Sequence, residues 1–126
     1  MTPVADSSTT VLIVSDDVAA AALLGGLVET FGYRVEFAAV GESPDRPRRK
    51  RPRVYLLDCE SDACSEAAIA RAIMRGAAVV LVGPRTLLEE MRELAGRHGA
   101  DLLFTPPEPG PLGDVLDRAS RRAGAS

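Results

Sequence analysis

The residues of this chain best suited to chemistry are carboxylates that end apolar runs. Val11-Leu12-Ile13-Val14 leads straight into Ser15-Asp16-Asp17, and Val54-Tyr55-Leu56-Leu57 ends in Asp58. Short aliphatic runs without polar alternation suit central strands covered on both faces. An acid at the end of such a strand leaves the core at the rim of the sheet. In open α/β sheets that rim is where ligands and chemistry sit. Asp58 is therefore the central candidate, with Asp16 and Asp17 as the other rim acids.

Other chemistry has little support. Cys59 and Cys64 are the only cysteines, and their spacing fits neither a redox dithiol nor half of a zinc site. They read as two reduced, small residues near the rim. The single histidine, His98, lies in Gly96-Arg97-His98-Gly99, where a helix-ending cap is expected. A histidine triad or a histidine-rich metal cluster is thereby excluded. Gly25-Gly26 falls inside a helical pattern, so no glycine-rich phosphate loop is present. No convincing nucleophile–base pair is found, and an enzyme is not expected.

The whole chain sets the frame. Its 126 residues, 46% hydrophobic and 26% charged, suit one globular domain. A net charge of −3 gives no global pull toward nucleic acid or anionic membrane. No apolar run approaches the roughly 18 residues of a membrane span. Met1 to Thr10 is polar, without a basic-then-apolar signal pattern, so a cytoplasmic location is expected. The organisation expected is a flexible leader over 1–10, one domain over 11–122 and a flexible tail over 123–126.

The elements that must position the acids follow from periodicity. After the first strand, Asp16 or Asp17 caps a helix carrying Ala20, Leu24, Leu27, Val28 and Phe31 inward, with Gly32 as its stop. Close packing against a strand would account for Gly25-Gly26. Tyr33 to Ala39 alternates as an edge strand. Gly41 to Pro52 has three prolines and no apolar face, so a loop or one or two turns is expected there. A helix over 63–75 offers Ala67, Ile69, Ala70 and Ile73. A strand over 77–82 ends at Gly83-Pro84. A helix over 86–97 can open with a Thr86–Glu89 capping box. A last strand over 101–105, a stiff Pro106–Pro111 connector and a helix over 112–122 complete the chain. Strands alternating with crossovers imply an α/β doubly wound parallel sheet. It is flavodoxin-like, of order 2-1-3-4-5, with the second crossover helix short or missing.

The acid pair after the first strand, the acid ending the third, and Gly99-Ala100-Asp101 before the last strand together resemble a CheY-like response-regulator receiver domain. The resemblance covers about residues 10–122. It implies that Asp58 matches the phosphoacceptor and that Asp16, with Asp17, Asp58 and the Glu60 carbonyl, matches the Mg²⁺ ligand set. A carboxylate attacking a phosphoryl group needs a hard cation on the crowded oxygens. Ser15 stands where another acid is usual.

Three further positions depart from the receiver pattern. Gly83, or Val82 under a one-residue shift, replaces the hydroxyl residue after the fourth strand. Pro106 replaces the lysine, and Leu103 the aromatic residue that moves with the hydroxyl. Thr105, on the opposite side of the strand, is not expected to stand in for the lysine. Without these groups, little is left to let a phosphoryl group favour a second conformation. No lysine amine or serine or threonine hydroxyl is expected to reach the Asp58 carboxylate. The reading is an atypical receiver that acts by protein contact, independently of phosphorylation, with no required cofactor. The alternative is a phosphoryl-accepting receiver using Asp58 and Mg²⁺, with a histidine kinase as donor. The partner is in either case a protein, with homodimerisation left open.

Two surfaces are interface candidates. One is the receiver family's usual contact surface of fourth helix, last strand and final helix. The other is the basic cluster Arg46, Arg48, Arg49, Lys50 and Arg51, which suits an acidic protein surface. That cluster has no interleaved aromatic to stack on bases, which disfavours nucleic acid.

Overall fold

Residues 9–40 and 52–124 are described by the structure, a computed structural model. Five strands form one sheet: β1 (Thr10–Val14), β2 (Arg34–Ala38), β3 (Val54–Asp58), β4 (Ala78–Pro84) and β5 (Asp101–Thr105). Their order is β2-β1-β3-β4-β5, and every pair is parallel. Helices α1 (Val18–Glu29), α2 (Glu66–Met74), α3 (Leu88–His98) and α4 (Pro109–Gly124) alternate with them, and 3₁₀ turns occupy Cys59–Ser61 and Arg85–Leu87. This is the expected flavodoxin-like doubly wound sheet. The second crossover and the basic residues Arg46, Arg48, Arg49, Lys50 and Arg51 lie outside the described residues, as do positions 1–8 and 125–126.

The pleat divides the core into two layers. Ile13, Leu56, Val82 and Leu103 face α1 and α4, meeting Leu24, Val28, Leu112 and Leu116. Leu12, Tyr55, Leu57 and Leu81 face the other way, meeting Ile69, Ala72, Met91 and Ala95. Alternate residues of β1, β3 and β4 thus enter opposite layers, which is why these strands read as unbroken apolar runs. Each fully buried leucine or isoleucine contributes about 1.5–3 kcal/mol relative to exposure. β2, at the edge, keeps Arg34 and Phe37 exposed.

Several local expectations are corrected. α1 buries Ala21, Leu24, Gly25 and Val28, whereas Ala20 and Phe31 are exposed. Gly25 explains half of the glycine pair: a Cβ there would lie 2.7 Å from the Phe37 ring, while one at Gly26 would meet nothing. α2 starts at Glu66, capped by the Ser65 side chain, which accepts from the Ala68 amide. Its inward residues are Ile69 and Ala72, with Ala67 exposed. The Thr86–Glu89 box does not form, because Arg85–Leu87 is a 3₁₀ turn and α3 begins after it without a side-chain cap. Gly99, at φ 72°, ends α3 in the left-handed conformation, and His98 instead reaches Glu66 of α2. α4 takes in Pro109 and Pro111, since a first helical turn leaves its N–H groups unpaired anyway.

Candidate functional site at the rim of the sheet

The C-terminal ends of β1 and β3 lie side by side, with Val14 opposite Leu57. The chain leaves them toward opposite sides of the sheet, so the crevice of a doubly wound fold opens there. Asp58 sits in it, half-buried, and its carboxylate is held from three directions. The Ser15 hydroxyl donates to Oδ2 at 2.7 Å and the Ser61 hydroxyl donates to the same oxygen at 2.9 Å. The Glu60 amide donates to Oδ1 at 3.0 Å. Each serine is also a relay: Ser15 Oγ accepts from the Asp17 amide at 3.0 Å, and Ser61 Oγ accepts from the Asp16 amide at 3.1 Å. The two loops are thereby stitched together through one carboxylate oxygen. The expectation that no hydroxyl reaches Asp58 is overturned, and with it goes one ground for reading the site as unable to answer a phosphoryl group.

The other acids have separate tasks. Asp17 caps α1, its Oδ1 accepting from the Ala20 amide at 3.0 Å, which decides the cap in its favour over Asp16. Asp16 turns toward β2, its Oδ1 accepting from the Val40 amide at 2.9 Å. Asp17, Asp58 and Glu60 line one cleft with Ser15 and Ser61. Asp16 lines a different one, beside Phe37. Among the described residues, no three His, Cys, Asp or Glu side chains converge as a metal site.

The sheet also places Val82, Gly83, Leu103, Thr105 and Pro106 relative to Asp58. Asp58 pairs with Val82, and Val82 with Leu103. Val82 lines the Asp58 cleft, whereas a side chain at Gly83 would point at Met91 Sδ (2.9 Å) and Cys59. Leu103 is 3% exposed, within the α1–α4 layer. Thr105 lies two residues further along the same face, and both Thr105 and Pro106 line the cleft. The expectation that Thr105 faces away is therefore wrong: the pleat that carries Leu103 inward carries Thr105 to the rim.

The cleft has a volume of about 410 Å³. Its acids and hydroxyls face an apolar wall of Ala20, Leu23, Leu24, Val82, Pro106 and Pro107. Among the described residues lining it there is no lysine, arginine or histidine. The wall continues onto the outer side of α1, which has no charged residue from Val18 to Val28. Leu23, in the cleft wall, is 64% exposed; Val18, 81% exposed, instead lines the neighbouring cleft with Phe37.

Cys59 and Cys64 are joined in a disulfide, which corrects their reading as reduced residues. The turn after Asp58 returns the chain at Ala63, whose amide bonds the Asp58 carbonyl at 3.2 Å, and this brings the cysteines together. Sequence reasoning missed Ser61 as a site residue. The signal was a hydroxyl three positions past a strand-ending aspartate, a spacing that lets the side chain fold back on the carboxylate.

No protein-family model and no curated protein matches the chain. Solved structures do. NtrX from Brucella abortus in complex with ADP superimposes with a TM-score of 0.80 at 20% identity, over 94% of this chain and 27% of that one. The chain thus spans about a quarter of NtrX. The chemotaxis protein CheY4 from Vibrio cholerae gives 0.70 at 20% identity, over 88% and 98% of the two chains. A candidate pilus assembly protein (cpaE) from Burkholderia thailandensis gives 0.68 at 29% identity, over 90% and 99%. On these superpositions the chain has the CheY-like fold of a response-regulator receiver domain.

Proposed function

We propose that this chain is a cytoplasmic signal-transduction module of the receiver type that works by protein contact and does not depend on phosphorylation. One observation carries this reading: the cleft around Asp58 has no lining cation among the described residues. A transferred phosphoryl group brings negative charge that such a cleft does not balance. In this reading Asp17 and Asp16 serve the backbone, accepting from the Ala20 and Val40 amides, and no metal is required. The uncharged outer face of α1, with Leu23 shared by the cleft, supports protein contact, because apolar patches of this kind mark interaction sites. Among the described residues, no helix is long and apolar enough to cross a membrane.

A second reading has specific support. Ser15 and Ser61 donate hydroxyls to Asp58 and Thr105 lines the same cleft; hydroxyls can donate to phosphoryl oxygens as readily as to a carboxylate. The shared fold of CheY4 and of NtrX favours it too. In that reading Asp58 accepts a phosphoryl group from a histidine kinase with Mg²⁺ present.

Affinity capture with wild type and Asp58→Asn, each with and without a small-molecule phosphodonor, separates the two. The first reading predicts the same captured partners in all four samples. Capture that appears only with wild type and phosphodonor supports the second.

A further inference from the structure

We propose that the Cys59–Cys64 pair is a reversible thiol–disulfide site whose redox state sets the hydrogen-bond shell of Asp58. The bond closes a loop that contains Ser61, and Ser61 is the residue that ties Asp58 Oδ2 to the Asp16 amide. Asp62, in the same loop, has φ 60°, a left-handed turn conformation that aspartate tolerates better than most non-glycine residues. The disulfide is one of the constraints that holds this turn. Opening it frees the 59–64 turn and carries Ser61 away from the carboxylate.

The site is built for exchange. Cys59 is partly exposed while Cys64 is buried, so an incoming thiolate attacks Cys59 Sγ. A cleft of about 450 Å³ lined by both cysteines, Met91 and Leu94 gives access. In the first step the attacking sulfur bonds Cys59 Sγ, the S–S bond breaks, and Cys64 leaves as a thiolate. In the second, the other thiol of a dithiol reductant attacks the mixed disulfide and releases Cys59. The protein gains two electrons and two protons, and the dithiol leaves as a disulfide. Cys64 Sγ lies 3.3 Å and Cys59 Sγ 3.9 Å from the Leu57 carbonyl oxygen. Each released thiol therefore has an acceptor ready, and the reduced turn keeps its sulfurs satisfied. This inference holds under either reading of Asp58, because it concerns the carboxylate's donors and not its fate.

The test is ¹H–¹⁵N NMR of the full chain, air-oxidised and then treated with dithiothreitol. Signals from 59–64 move on any change at the cysteines, so the informative one is Asp16, distant in sequence and joined to the loop through Ser61. Reduction is expected to shift the Asp16 amide, and Cys59→Ser/Cys64→Ser to place it at the reduced position. In Ser61→Ala the amide starts displaced and loses most of its response. Should the double variant not fold, the reductant titration of wild type decides alone. An Asp16 signal that stays in place while 59–64 move overturns the proposal. So does an air-purified protein with two free thiols, or a disulfide that millimolar dithiothreitol leaves intact in the folded chain.

Discussion

At the residue scale the site turns on one oxygen. Asp58 Oδ2 receives both serine hydroxyls, so removing either leaves the other to compensate. Ser61→Ala and Ser15→Ala are each expected to lower stability by about 1 kcal/mol in urea denaturation. The double variant should lose more than the sum, because the two donors share an acceptor. Asp58 itself was legible from sequence, since an apolar run ending in an acid fixes where that acid emerges. Ser61 and Thr105 were not. The first depends on a turn whose path is set by tertiary contacts. The second is hidden because reading Pro106 as the rim position inverts the parity of the strand; Leu103, buried on the same face, supplies the correct count.

At the scale of elements, α1 joins the site to the surface. Asp17→Ala should cost about 1 kcal/mol through loss of the N-cap, read as a lower unfolding midpoint. Leu23→Arg, at an exposed position, should change stability by no more than about 0.5 kcal/mol while abolishing capture of the protein partner; unchanged capture would remove α1 as the contact surface. Helix spacing alone could not reveal this face. An alanine- and leucine-rich helix carries apolar residues all round, so the inward stripe could not be told from the outward one.

α2 and α3 are clamped differently. Arg97 of α3 pairs with Glu66 of α2, and His98 adds a second contact. The Arg97 hydrogen bond, then that of His98, holds the Glu66 carboxyl below its ordinary pKa, and the Glu66 hydrogen bond raises that of Arg97. A depressed carboxyl pKa contributes stability above the unfolded value and loses it as pH falls through the folded one. Thermal unfolding of wild type should therefore approach that of Glu66→Gln as pH drops through the carboxylate range. It should exceed that of the variant at neutral pH. Both partners are substantially exposed, so the difference is small and fades in high salt.

At the scale of the molecule, the sheet order was readable because each central strand is a short aliphatic run between helical segments, and such alternation has few solutions. Helix starts were less readable. Pro109 and Pro111 resemble a connector until the free first turn is considered, and Thr86 resembles a cap until the strand continues to Pro84. The disulfide was hidden because a four-residue spacing does not determine whether two cysteines meet. Leu116, fully buried between α4 and the sheet, is expected to cost 2–5 kcal/mol on replacement by alanine, measured by denaturant unfolding. Such a loss is a large share of the roughly 5–15 kcal/mol that holds a domain of ordinary size together.

On the proposed reading, Asp58 is held by its own chain and is not read out through a phosphoryl group. The most direct measurement is a titration of beryllofluoride with Mg²⁺ into ¹⁵N-labelled wild type and Asp58→Asn. Matching spectra, with no shifts that require Asp58, are expected. Shifts seen only in wild type, spreading from the rim through β5 to α4, would contradict it and establish Asp58 as a working phosphoacceptor.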